Sequence, residues 1–147
     1  MARTPAEGPA ETGMLPWAFS LFRRSNTPIC QKKGIVPLTK ICTLASGSSG
    51  NALLVSHNNS HVLVDAGISV RRINAALHSF DLSIDDLDAL LITHSHNDHV
   101  SALKTWVKHY DCPIYTSDGT AFTLHNRISG IAPLLHSFSA GESFSVG

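Results

Sequence analysis

The sequence predicts an α/β domain, on three observations. Short aliphatic runs alternate with stretches whose apolar residues recur at helical spacing. Loops rich in Gly, Ser, Asn and Asp separate them. Most telling is the stretch from Asp88 to Val100: Ala89, Leu90, Leu91 and Ile92 read as a buried strand, a polar loop follows, and Val100, Leu103, Val107 and Tyr110 continue at helical spacing. A chain of 147 residues is long enough for one domain with a real core.

Residues 1–37 contain Pro5, Pro9, Pro16, Pro28 and Pro37 and no sustained period, which predicts a flexible leader ahead of a domain spanning 38–147. The leader has one apolar island, Trp17, Phe19 and Phe22. It is a poor targeting core, since Pro16 interrupts it, Arg23 and Arg24 follow it, and no small-residue cleavage site is apparent.

Strands are predicted over 40–44 and 52–56, joined by Ser46-Gly47-Ser48-Ser49-Gly50-Asn51. Glycine supplies the φ values that a tight connection requires, so this loop reads first as a hairpin turn. It could also aim backbone N–H groups at a phosphate. A turn at 57–60 leads to a strand over 61–64, with His57 and His61 facing solvent. Asp65 closes that strand, either capping the turn or reaching a neighbouring loop. Ser69 caps a helix whose Val70, Ile73, Leu77 and Phe80 form one apolar stripe, with His78 off it.

Residues 84–88 then lead into the strand over 89–92. Beyond the polar loop, a helix over 100–110 buries Trp106 and Val107 and leaves Lys104, Lys108 and His109 in solvent. A strand over 113–116, a helix over 118–127, a strand over 134–138 started by Pro133, and a last strand over 143–146 complete the order. His125 and His136 fall in no metal pattern.

The polar loop carries the chemistry. His94, His96, Asp98 and His99 fall together at a strand-to-helix junction, and imidazole nitrogen with carboxylate oxygen suits Zn2+ and its neighbours. In an extended or turning segment, residues two apart project to one side, so His94 and His96 can grip one ion. Asp98 and His99, where the chain turns into the helix, point elsewhere and could serve a second. A purely structural role covers part of the cluster, because Asn97 or Asp98 could cap the helix.

The run His94-Ser95-His96-Asn97-Asp98-His99 resembles the HxHxDH signature of the metallo-β-lactamase superfamily. With the glycine-rich 44–51 loop and Val64-Asp65-Ala66-Gly67, it is similar to the YycJ/WalJ-like branch, from about residue 39 to the last residue. The resemblance implies a ββ sandwich flanked by helices. It implies a two-ion site of Zn2+, with Mn2+ or Fe as other candidates, in which His94, His96, Asp98 and His99 are ligands and Asp98 is also catalytic. Asp65 would hydrogen-bond a ligand and fix its orientation. Ser48, Ser49 and Asn51 would lie on the substrate side.

The implied activity is metal-dependent hydrolysis of the phosphodiesterase or nuclease kind, with nucleic acid as substrate. Thioester or lactam hydrolysis uses the same cluster, since fold alone does not choose the chemistry. Val100-Ser101-Ala102 differs from the glyoxalase-like variant, which commonly continues with a Gly pair. The His, Asp and His that the second half of the superfamily's sandwich contributes are not found, so the chain is expected to be a truncated N-terminal half. It would then be inactive alone or need a partner chain, and an uncovered apolar sheet face would favour self-association.

Composition adds bounds. The formal net charge is zero, but residues 1–40 carry six Lys or Arg against Glu7 and Glu11, whereas 41–147 carry five against nine Asp or Glu. An acidic body argues against nonspecific nucleic-acid binding unless bound cations offset it. Cys30, Cys42 and Cys112 are odd in number and widely spaced, which favours a reducing, cytoplasmic setting. No apolar run reaches the roughly 20 residues of a membrane span.

Overall fold

The computed structural model describes residues 38–146, so the leader predicted over 1–37 lies outside the described residues. Among them, β1 (Thr39–Ala45), β2 (Ala52–His57), β3 (Ser60–Val64), β4 (Ala89–Ile92), β5 (Ile114–Ser117) and β6 (Leu135–Phe138) form one sheet in chain order. The first three strands pair antiparallel, and β3 to β6 run parallel. Parallel neighbours need crossovers. These are α1 (Val70–His78), then α2 (Asn97–Val100) with α3 (Leu103–Trp106), then α4 (Asp118–Arg127).

Strands that advance in one direction through right-handed crossovers place their helices on one face of the sheet. Burial follows that rule. Leu54, Leu63, Leu90, Ile92, Ile114 and Thr116 are buried on one face, together with Ile73 and Leu77 of α1, Leu103 and Trp106 of α3, and Leu124 of α4. The alternate residues Leu53, Val55, Val62, Val64, Leu91 and Tyr115 stay half-buried, and Ile41 on β1 is 68% exposed. The second face is therefore apolar and only partly covered.

Most predicted elements form within a residue or two of their expected ends, and α1 carries its Ser69 cap, whose hydroxyl accepts from Arg72 N. Two expectations fail locally. Residues 143–146 form no strand; Phe144 instead stacks on Tyr115, with ring centroids 5.2 Å apart. The helix expected over 100–110 begins earlier, at Asn97, and is interrupted at Ser101 and Ala102.

The interruption has a definite cause. A continuous helix would bond Ala102 N to the carbonyl of Asp98. Here Asn51 N takes the Asp98 carbonyl at 2.7 Å, and Ala102 N turns to the carbonyl of Ala66 at 2.9 Å. Ala66 N donates to the carbonyl of His99, Gly67 N to that of Asn51, and the Ser101 hydroxyl to that of Gly67. Three segments distant in sequence are thus laced by backbone. Gly67 makes the lacing feasible, because a Cβ there would run into the Asp98 carbonyl.

Cys42 and Cys112 are free. His61, expected in solvent, is half-buried with its Nδ1 2.9 Å from the Ser56 hydroxyl and its backbone N–H donating to Asp88. No helix among the described residues is long and apolar enough to cross a membrane.

Gly67→Ala should destabilise the chain by about 3 kcal/mol or more in urea unfolding, because the obstacle is backbone. Gly119→Ala, where a Cβ meets nothing, should instead gain up to about 1 kcal/mol from helix propensity. Burial, with the nearby Asp88 charge, also pushes the Cys112 thiol from an ordinary 9.0 up to about 12. A folded-state value above the unfolded one contributes stability that is complete below the unfolded value and is lost as pH climbs toward the folded one. Cys112→Val should therefore flatten the alkaline loss of stability that begins near pH 9.0, read by urea unfolding at stepped pH.

Candidate metal centre

The carboxyl ends of parallel strands lie at one edge of the sheet, where α/β folds gather ligands. Asp65 follows β3 there, and Thr93 to His99 follow β4, its neighbour. Asp65 N donates to the Leu91 carbonyl, and Asp65 takes a left-handed backbone with φ of 61°. That conformation is tolerated by Asp more readily than by most residues.

The Asp65 carboxylate is buried, and its residue is 5% exposed. It accepts from Thr93 N at 2.9 Å, from the Thr93 hydroxyl at 2.8 Å and from His99 Nδ1 at 2.7 Å. This fixes ring states. His99 donates through Nδ1, so in the neutral ring Nε2 carries the lone pair. The Thr93 hydroxyl spends its one proton on Asp65 and is left to accept from His94 Nδ1, 3.1 Å away. His94 Nε2 then carries a lone pair as well.

Those lone pairs meet further donors. His94 Nε2 lies 3.1 Å from His96 Nδ1, and His99 Nε2 lies 3.3 Å from Asp98 Oδ2. Ligand atoms about 2.05 Å from a tetrahedral ion stand about 3.3 Å apart, so both separations match the bite of a four-coordinate zinc. The rings of His94 and His99 pack with centroids 4.0 Å apart, setting the two pairs side by side. Among the described residues no group of three or more His, Cys, Asp or Glu side chains is arranged to hold an ion. The donors fit a metal as two pairs, each short of a full ligand set.

Of the residues expected on the substrate side, only Asn51 joins the cluster. Its Nδ2 lies 3.2 Å from both Asp98 Oδ2 and His99 Nε2, while its Oδ1 accepts from Gly47 N. Ser48 and Ser49 are exposed at the hairpin turn. His125 is exposed, and His136 stacks on Tyr115.

Two contributors escape sequence reasoning. Thr93 was readable only as the residue between strand and cluster. Arg127, at the end of α4, donates from Nη1 to the Ser95 carbonyl at 2.6 Å and from Nη2 to Asn97 Oδ1 at 3.0 Å. Nothing in its local sequence marks it.

A family profile described as the metallo-beta-lactamase superfamily matches residues 45–141. The chain belongs to that superfamily. It is 38% identical over 88 residues to the exodeoxyribonuclease YycJ of Bacillus anthracis, an alignment covering 60% of this chain and 33% of that protein. It is 37% identical over 87 residues to the exodeoxyribonuclease WalJ of Streptococcus pneumoniae serotype 2, covering 59% and 32%. The chain thus spans about a third of the length of these relatives. Among solved structures, the metallo-beta-lactamase SMB-1 in complex with mercaptoacetic acid superposes with a TM-score of 0.56 at 21% identity, covering 68% of this chain and 44% of that one. That likeness bears on the fold alone.

Replacing both donors of one pair, His94→Ala with His96→Ala, should lower the zinc retained per chain after dialysis, measured by elemental analysis. Equal zinc in both proteins would remove the pair from the site.

Proposed function

We propose that this chain carries the first half of a two-ion hydrolytic site of the phosphodiesterase or nuclease kind, acting on nucleic acid. The observation that carries the reading is the pairing of ligand-type atoms, His94 Nε2 with His96 Nδ1 and His99 Nε2 with Asp98 Oδ2, at separations of 3.1 and 3.3 Å.

Each residue then has a task. His94 and His96 hold one cation, and Asp98 and His99 hold the other, with Zn2+ favoured by the imidazole-rich donor set and Mn2+ or Fe as substitutes. Asp65 fixes the His99 tautomer directly and that of His94 through Thr93. Asn51 holds Asp98 through its backbone N–H and its carboxamide. When bound, divalent cations supply Lewis-acid charge to phosphate oxygens and lower the pKa of water.

Similarity to two exodeoxyribonucleases at 37% and 38% identity favours phosphodiesters over lactams, for which the likeness is one of fold alone. With two protein donors per ion, occupancy should demand metal well above the chain concentration. Free Cys42 and Cys112 suit a reducing, cytoplasmic setting.

The test compares bis-p-nitrophenyl phosphate, a labelled DNA oligonucleotide, a lactam and a thioester at saturating Mn2+ or Zn2+, on size-fractionated protein. The monomer is expected to turn over none of them, and any turnover by an assembled species is expected to be confined to the phosphodiesters and abolished by Asp98→Ala. Turnover of the lactam or thioester alone would overturn the reading. Turnover confined to an assembled species would mean that chains complete one another's sites. No turnover by any species would leave a half-domain that needs a partner chain.

A further inference from the structure

Three histidines serve the cluster, but they are not held alike. His99 is anchored by Asp65 and His94 by Thr93. A metal-binding imidazole ordinarily has its second nitrogen anchored in this way. His96 is the exception: among the described residues its only ring hydrogen bond is the one to His94. Its orientation must come from the backbone on which it stands.

That backbone is gripped from outside the loop. Arg127 Nη1 donates to the carbonyl of Ser95 and Nη2 to the side chain of Asn97, the residues on either side of His96. A planar guanidinium with two fixed donors sets angle as well as distance. The 2.6 Å contact to Ser95 is short even for a charge-assisted bond. The ion-pair contacts among the described residues are those of His99 with Asp65 and Asp98, so Arg127 gives its fork to neutral acceptors rather than to a carboxylate. Its place is set by α4, which packs against β5 and β6.

We infer that Arg127 is the positioning residue for His96, clamping the loop on both sides of that ring so that Nδ1 stays beside His94 Nε2. This rests on reading His94 and His96 as a metal pair. Neither local sequence nor the cluster itself identifies Arg127 in this role.

The experiment is titration of the full chain with Co2+, followed by its visible ligand-field absorption, for wild type, Arg127→Lys, Arg127→Ala and the His94→Ala, His96→Ala double variant. Thermal midpoints of the metal-free proteins are recorded beside it. Arg127→Ala should weaken Co2+ binding about 10-fold or more, the cost typical of removing a group that orients a ligand. Its metal-free midpoint should stay at the wild-type value. Arg127→Lys, keeping one donor, should recover part of the affinity.

Wild-type Co2+ affinity in Arg127→Ala, or a loss accompanied by a lowered midpoint that Arg127→Lys does not repair, would overturn the inference. If wild type and the double histidine variant bind Co2+ alike, the metal pair itself is wrong and Arg127 loses its role with it.

Discussion

One buried carboxylate sets the terms for the rest of the site. Asp65 is removed from water yet receives two donors from Thr93 and one from His99, so its oxygens are well satisfied. A buried carboxylate left short of partners would be strongly unfavourable, whereas charge-assisted bonds of this kind contribute about 1.5–3 kcal/mol each. The same contacts determine which nitrogen of His99 and of His94 holds a proton. Tautomer choice in two rings thus follows from the folding of one loop onto one strand end.

The backbone lacing does for Asp98 what Asp65 does for the rings. Had α2 and α3 run on as a single helix, the Asp98 carbonyl would have been consumed by Ala102 N. Diverting it to Asn51 N couples the glycine-rich hairpin to the metal loop, and Gly67 lets the chains approach closely enough to do so. The hairpin loop, read from sequence first as a turn, therefore also serves as a strut. Asn51 faces the Asp98 and His99 pair, while Ser48 and Ser49 remain at the exposed tip.

The fold was legible because its signals are local. Aliphatic runs bounded by polar turn residues gave β1 to β4, the stripe through Ile73 and Leu77 gave α1, and donor types at short spacing gave the four cluster residues. What escaped was non-local. The break at Ser101 and Ala102 depends on the Ala66 carbonyl, which accepts from Ala102 N, and on Asn51 N, which donates to the Asp98 carbonyl, and no propensity along 100–110 encodes it. Arg127 reaches the loop from a helix some 30 residues later, and an arginine ending a helix reads only as a favourable partner for the helix dipole. Phe144 and Val146 suggest a strand at 143–146, but Phe144 stays exposed and stacks on the Tyr115 ring instead.

Charge places metal before substrate. Residues 41–147 carry a net of −4, and two of those carboxylates, Asp65 and Asp98, stand at the cluster itself. A phosphate approaching such an edge is repelled unless a stronger positive charge is present. Arg127 and Lys104 lie near the loop, but exposed pairs with such side chains contribute only about 0.2–1 kcal/mol. A divalent cation about 4 Å from a phosphate charge is worth about 8 kcal/mol at an effective dielectric near 20, before desolvation is counted. On the proposed reading, affinity for an anionic substrate would therefore reside in the loaded site rather than in a basic surface. An acidic body and a nucleic-acid substrate are compatible on that reading: the strand would be drawn to cations held at the sheet edge, and the rest of the domain would have no need to be basic.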